Sequence, residues 1–454
     1  MPALASAAPR PTLSLLDIVA IIVGIVIGAG IFETPPLIAA NSSGPAAMLL
    51  AWVAGGAITV VGALCYAELA TAYPDPGGNY VYLRRAFGEP PAFLLAWSRL
   101  AVIQTGSIAM LSYIFGDYAA QVYAPIHHAG SVYAAAAIIV LTVLNIAGIQ
   151  YGKDTQKLLT LGTMIGLVLV VWAAFSLGPA PASSVPPAAP GGGGFGLVMI
   201  FVLLTYGGWS EAAYISAEVR RPRDIIRGLV VSVIVICSVY LVVNYALLRA
   251  LGMEQLAQSK AVAAEVLRRA VGAPGAWLLA ALVGMTALDS MNASIITGAR
   301  TSYALGRDHP LFSFLGRWHP RANTPVNALV VQSLISLALV GLGSLTLQGF
   351  RTMVEYTTPV FWLFLLLTGI SLMVLRRVDA DRPRSFRVPL YPLLPLIFIA
   401  SAAYMLYASL AYTGAGAVVG ALVLLVGIPL LALSRRRAAR ALRPTLEPLP
   451  KEAA

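Results

Sequence analysis

The sequence predicts an all-α integral membrane protein of twelve transmembrane helices, ten of them paired as a 5+5 inverted repeat. Three observations carry that expectation. The 454 residues are 59% hydrophobic and only 11% charged, with a mean hydropathy of +0.81, whereas soluble domains carry about 25% charge. Twelve apolar runs approach or exceed the roughly 20 residues that a spanning helix needs. Two of these runs, five helices apart, are interrupted at corresponding positions by glycine clusters, the pattern of paired broken helices.

The runs lie at 16–38, 46–71, 91–116, 131–149, 158–178, 195–216, 228–249, 275–299, 325–346, 352–374, 388–411 and 414–434. Twelve spans take about 240 residues and leave no room for a large soluble domain. Met1 to Pro11 holds one basic residue and no small-residue cleavage site, so the first run is expected to persist as a helix. The expected layout is a cytoplasmic tail 1–15, helices 1–5 in 16–178, an external Pro/Gly linker 179–194, helices 6–10 in 195–374, helices 11–12 in 388–434, and a basic tail 435–454.

The net charge of +11 is largely a matter of topology. Of 30 basic residues, 26 are Arg, and 24 fall in the tails and in alternate connections that an even helix count places on one side. Basic loops stay cytoplasmic, so both termini are expected inside a cytoplasmic membrane, in contact with lipid. Nucleic acid is not an expected partner.

Other chemistries find no residues to carry them. The only Gly-Lys pair, Gly152-Lys153, has Ala147 where a phosphate-binding loop needs its first glycine. His127, His128, His309 and His319 all fall in loops, which argues against a metal cluster or a hydrolase triad at membrane depth. Neither an enzyme, a cofactor nor a metal is expected. Cys65 and Cys237 both sit in apolar runs, so no disulfide-linked subunit is expected.

Helix 1 contains Gly24-Ile25-Val26-Ile27-Gly28-Ala29-Gly30, and helix 6 contains Leu204-Thr205-Tyr206-Gly207-Gly208-Trp209. Glycines in spanning helices also serve close packing, and Gly24 with Gly28 forms such a spacing. Their pairing across five helices favours unwinding. An unwound break offers free N–H groups at one half-helix start, suited to a carboxylate, and free C=O groups at the other half-helix end, suited to an ammonium.

At these residues the chain resembles the amino acid–polyamine–organocation (APC) superfamily, and within it bacterial relatives of the L-type amino acid transporters. Further motifs are Ala67-Glu68-Leu69, Tyr73-Pro74, Gly77-Gly78-Asn79-Tyr80, Tyr206-Gly207-Gly208-Trp209 with Glu218 and Pro222, and Asn292, Arg300 and Gly306-Arg307-Asp308. The resemblance covers nearly the whole chain. It implies a leucine-transporter-like fold and a permease moving amino acids, neutral L-amino acids first, by alternating access. A polyamine or organic-cation carrier and a non-transporting sensor are the rival readings. Carried across by position, Val26, Gly28, Ala29 and Gly30 would hold the substrate carboxylate, and Leu204, Gly207 and Trp209 its amino group and side chain. Leu204 stands where relatives often carry a gating aromatic. Thr163 stands where many carry a helix-5 lysine.

Charged residues at membrane depth invite functional readings. Glu33 would face an outer vestibule or reach the interface. Glu211 is a candidate for a coupling ion or a partner for Arg99. Asp289, with Thr163, is a candidate site for a proton or sodium ion, against the commoner role of a hydrogen-bonded packing residue. Glu68 and Glu355 lie near helix ends and are expected to be solvated, and Trp97, Trp172, Trp277 and Trp362 to be interfacial or packing aromatics. The segment from Tyr73 to Gly88 is expected to form an inner loop with a short helix.

Overall fold

The structure, a computed structural model, describes residues 9–28, 30–123, 128–180, 194–259, 261–346, 349–413 and 415–441. Ala29, most of the 179–194 linker and the end of the basic tail lie outside the described residues, as does the side chain of Glu355. The helices are α1 (Leu15–Val26), α2 (Gly30–Asn41), α3 (Pro45–Ala72), α4 (Asn79–Phe87), α5 (Glu89–Ser98), α6 (Gln104–Val122), α7 (Ala129–Ala147) and α8 (Ile149–Ser176). The second half holds α9 (Gly194–Thr205), α10 (Pro222–Gln258), α11 (Val262–Val271), α12 (Pro274–Asp308), α13 (Val326–Thr346), α14 (Gly349–Val378), α15 (Leu393–Thr413) and α16 (Ala415–Ala441). Among the described residues the only strand-like pairings are two isolated bridges, Leu13 with Val219 and His319 with Thr324.

Ten helical stretches among the described residues are long and apolar enough to cross a membrane, and eleven if α1 and α2, bent by 49°, count as one broken span. The chain is a multi-pass membrane protein. The outer faces support this: Leu158, Leu161, Ile165 and Val168 recur at helical spacing along α8 and are all more than half exposed, an apolar stripe that suits a lipid surrounding. Trp172 and Trp277 are exposed in the same way, while the Trp97 indole N–H donates to the Val423 carbonyl at 2.8 Å.

The helix 1 expected over 16–38 divides into α1 and α2. Ser14 caps α1, its side chain exchanging hydrogen bonds with Asp17. Asp17 then meets Lys153 at 3.6 Å and Lys157 at 3.4 Å, fastening the start of α1 to α8. The expected helix 5 begins about nine residues early, at Ile149, because these lysines are partnered rather than left in a loop. The expected helix 6 also changes character. It stops at Thr205, and Gly208, at φ +110°, starts a ten-residue 3₁₀ segment, Trp209–Glu218.

α12 is the most enclosed span, with 83% of its most apolar stretch buried. It packs against α1, α6 and α8, so polar residues along it face other helices rather than lipid. Between α5 and α6 a π-helical segment, Arg99–Ile103, inserts an extra residue per turn.

Candidate functional site: a cavity at two broken helices

A cavity of about 330 Å³ opens between the two breaks. α1 ends at Val26, with Ile27 at φ −78°, ψ 73°, and α2 restarts at Gly30. The first N–H groups of α2 have no partner inside the helix and, with the helix dipole, present a positive end to the cavity. Across it, α9 ends at Thr205, and Gly207 and Gly208 line the wall. Gly208 needs to be glycine: its φ is left-handed, and a Cβ there would sit 3.3 Å from the Ile25 carbonyl.

One hydroxyl joins the breaks. Tyr240 Oη lies 2.8 Å from the Val26 carbonyl and 3.0 Å from the Thr205 carbonyl. A hydroxyl has a single hydrogen, so it donates to one carbonyl at a time, and the Val26 carbonyl also accepts from the Gly28 N–H at 2.8 Å. Tyr206, whose hydroxyl donates to the Trp52 carbonyl at 3.1 Å, and Trp52 pack their rings around Tyr240 and fix its position. Thr205 and Thr34, 3.0 Å apart, link α9 to α2 directly.

Of the residues singled out in the sequence, Val26, Gly28, Gly30, Leu204 and Gly207 line this cavity. Trp209 does not. It lies beyond the unwound glycines in an adjoining void with Ile58 and Phe398, stacked edge-on against Tyr66 and Phe398. Leu204 is 43% exposed. Glu33 is exposed and lines the cavity one turn along α2, and no basic residue is among the lining side chains described.

The structure adds a wall that sequence reading missed. α6 contributes Gln104, Ser107, Met110, Leu111 and Ile114, α12 contributes Ser290 and Ser294, and α14 contributes Phe361 and Trp362. Trp362 lines the cavity while 6% exposed and packed edge-on against Phe361, in keeping with the packing role expected of it. The signal for α12 was legible as a serine pair at i, i+4 on one helix face. For α6 the π-helical segment shifts the register just before Gln104, which no helical periodicity reveals.

Glu211 is not available as a free acid. Arg99 Nη1 and Nη2 donate to its two oxygens at 2.8 and 2.7 Å, Arg99 Nε reaches Thr301 Oγ1 at 3.1 Å, and the guanidinium lies 4.0 Å over the Tyr214 ring. Glu218 is held similarly by Arg300, at 2.5 and 2.8 Å. Glu68, expected to be solvated, is 1% exposed: Arg376 and Arg384 pair with it and the Val388 N–H donates to it at 2.7 Å, because the segment entering α15 folds over this end of α3. Asp289 and Thr163 are both fully buried, facing one another between α12 and α8.

Residues 13–433 match the model of a family described as amino acid permease. Similar proteins include the b(0,+)-type amino acid transporter 1 of Mus musculus, 28% identical over 87% of this chain and 81% of that protein. Large neutral amino acids transporter small subunit 2 of Mus musculus is 29% identical over 92% of this chain and 80% of its own length. The serine/threonine exchanger SteT of Bacillus subtilis (strain 168) is 26% identical over 92% and 96% respectively.

Proposed function

The chain belongs to the amino acid permease family, and from that premise we propose that it is a secondary transporter of neutral L-amino acids. It works by alternating access in a cytoplasmic membrane, with both termini inside, through a twelve-helix 5+5 inverted repeat with α1–α2 and α9 with its 3₁₀ continuation as the broken helices. The observation that carries this reading is the cavity at the two breaks. A positive half-helix start at α2, and the Val26 and Thr205 carbonyls at the ends of α1 and α9 that share the Tyr240 hydroxyl, suit the two ends of a zwitterion.

The substrate carboxylate meets the N–H groups at the start of α2, from Gly30 on, where a charge at a helix start gains about 0.3–1 kcal/mol and up to about 2 when partly buried. Its ammonium meets carbonyls near Val26 and Thr205, and its side chain lies against Leu204, Met110 and Phe361, with Ser107 and Gln104 as uncharged hydrogen-bonding groups. An acidic side chain finds no cation there and is repelled by Glu33. The names of the relatives, which include neutral amino acid and serine/threonine carriers, support the same class. Cys65 and Cys237 lie in α3 and α10, which supports the absence of a disulfide-linked subunit.

Glu33 favours a second reading, a carrier of diamines or other organic cations, since it is the one carboxylate lining the cavity among the described residues. Counterflow into proteoliposomes preloaded with unlabelled amino acids separates the readings. Uptake of labelled L-serine, L-alanine or L-leucine is the expected result. Uptake of diamines alone would establish the cation carrier, and retained binding without flux of any probe would establish a sensor.

A further inference from the structure

Asp289 has an environment that the substrate cavity does not explain. It sits in the middle of α12, 0% exposed, against Gly24 of α1 and against Gln156, Thr160 and Thr163 of α8. Its Oδ1 is crowded with donors: the Thr160 hydroxyl at 2.8 Å and the Gln156 amide. The Gln156 amide is oriented by Asn292, whose Nδ2 donates to its oxygen at 2.8 Å, so the nitrogen end faces Asp289. Its Oδ2 and the Thr163 Oγ1 beside it are both buried and have no partner elsewhere, so each has only the other to bond to.

No cation among the described residues pairs with this carboxyl. The other charged groups on the three helices that meet here are Asp17 of α1, Lys153, Asp154 and Lys157 of α8, and Arg300, Arg307 and Asp308 of α12. Lys153 and Lys157 pair with Asp17, Lys157 also with Asp154, Arg300 with Glu218, Arg307 with Asp75, and Asp308 with Arg84. A bare carboxylate without water or counter-charge costs several kcal/mol to bury. A hard cation would need a shell of oxygens, yet Gln156 turns nitrogen toward the group. A proton needs only one oxygen and one acceptor. Placed on Oδ2, it removes the charge, and the resulting O–H donates to Thr163 Oγ1, a hydroxyl that can accept as well as donate.

The same place is coupled to the substrate cavity through one turn of α1. A Cβ at Gly24 would overlap the Gln156 amide and the Asp289 carboxyl, so α1 lies directly on the group. The next residue of α12, Ser290, donates to the Gly24 carbonyl at 2.7 Å and would lie 3.4 Å from a Cβ at Gly28, beside the cavity. Any swing of α1 that reshapes the substrate site therefore uncovers or re-covers Asp289.

We propose that Asp289 is the proton-binding site of this transporter, protonated while α1 covers it and releasing that proton to water when α1 moves, so that one proton accompanies each substrate. The step is a simple transfer: the Asp289 carboxylic O–H breaks to leave a carboxylate and a proton on water, and the reverse reaction reloads it. This rests on the transport reading given above.

The test uses the full chain in proteoliposomes containing a trapped pH dye, with labelled L-serine, L-alanine and L-leucine. Wild type should accumulate substrate in response to an imposed acid-outside gradient, about tenfold per pH unit at one proton per substrate, with matching proton entry and no response to sodium. Asp289→Asn, whose amide N–H imitates the protonated acid toward Thr163, should keep counterflow but lose accumulation driven by the gradient. Infrared spectra should show a protonated-carboxyl band that this variant lacks. Wild-type counterflow without proton movement, sodium-driven uptake, or an Asp289→Asn profile equal to wild type overturns the proposal. Should that variant not survive purification, the wild-type proton flux and its loss or shift in Thr163→Val decide: unchanged proton coupling in Thr163→Val, or no flux in wild type, overturns it. If wild type shows no counterflow of any probe, the transport reading itself fails, which is a different result.

Discussion

Removing Arg99 should destabilise the protein more than neutralising Glu211, and replacing both should restore most of the loss. The pair is buried, with side chains 4% and 7% exposed, and Glu211 receives two charge-assisted hydrogen bonds from one guanidinium. Bonds to charged groups are each worth about 1.5–3 kcal/mol, so Arg99→Met removes about 3–6 kcal/mol, in line with the 3–5 kcal/mol typical of a broken buried pair. Glu211→Gln leaves an amide oxygen that still accepts one bond, and Arg99 keeps Thr301 and the Tyr214 ring. Its cost should be about 2–3 kcal/mol. Arg99→Met with Glu211→Leu removes both charges and fills the space, which is often neutral for buried pairs. The assay is thermal unfolding of detergent-purified variants, monitored by the monodisperse fraction, alongside counterflow. Single variants as stable as wild type, or a double variant no better than Arg99→Met, would refute the view that this pair is structural. A changed dependence on proton gradients in Glu211→Gln would return Glu211 to the coupling candidates.

Other outcomes follow from the same geometry. Gly28→Leu and Gly207→Leu should each abolish counterflow while leaving the purified protein monodisperse, since both residues line the cavity; normal uptake by both would sink the paired-break reading. Tyr240→Phe leaves the Val26 and Thr205 carbonyls without their shared donor, costing about 1–3 kcal/mol of stability and weakening substrate affinity, measurable as a raised half-saturation concentration. His309, outside the membrane spans, is 2% exposed, and burial pulls its imidazole below the ordinary 6.5 despite Glu89 at 3.6 Å. Between that lowered value and 6.5 the unfolded chain binds more protons than the native one, so His309 makes stability fall as pH drops through this window. His309→Gln should flatten that part of the stability–pH curve, and an unchanged curve would exclude the effect.

Much of the architecture was legible because membrane burial writes itself into composition. The apolar runs locate the helices to within a few residues where no charge intrudes, as in α3, expected over 46–71 and observed over Pro45–Ala72. Errors arise where tertiary partners neutralise a charge. Lys153 and Lys157 looked like loop residues until Asp17 met them across α1, and Glu68 looked solvated until Arg376 and the segment before α15 covered it. The glycine clusters were readable because backbone that leaves the helix needs small residues whatever its neighbours. The α6 wall was not, because the π-helical register shift at Arg99–Ile103 leaves no periodic trace. The scattered motif residues gain a common explanation in three dimensions: Glu218 pairs with Arg300, the Asn79 amide donates to the Tyr66 hydroxyl at 2.9 Å, and Arg307 joins Asp75.

These ion pairs divide into two kinds, and the division bears on the proposed cycle. Arg99–Glu211 and Arg300–Glu218 are almost wholly buried, so breaking either costs several kcal/mol. They join α12 and the 3₁₀ segment to their neighbours and are too expensive to open at every turnover. Arg84–Asp308 and Arg307–Asp75, at the end of α12, are the more exposed pairs, with arginines 49% and 35% and aspartates 13% and 23% exposed. Solvent-exposed pairs contribute about 0–1 kcal/mol each, so these partly exposed pairs cost less to open than the buried ones. The cavity, by contrast, reaches the exposed Glu33 in α2, beyond the break. Alternating access requires the end closed by the exchangeable pairs to open while the Glu33 end closes. In the proposed cycle, this energetic asymmetry would place that opening at the Arg84–Asp308 and Arg307–Asp75 pairs, with the buried pairs holding the 3₁₀ segment to α12 and to the π-helical segment while α1 moves.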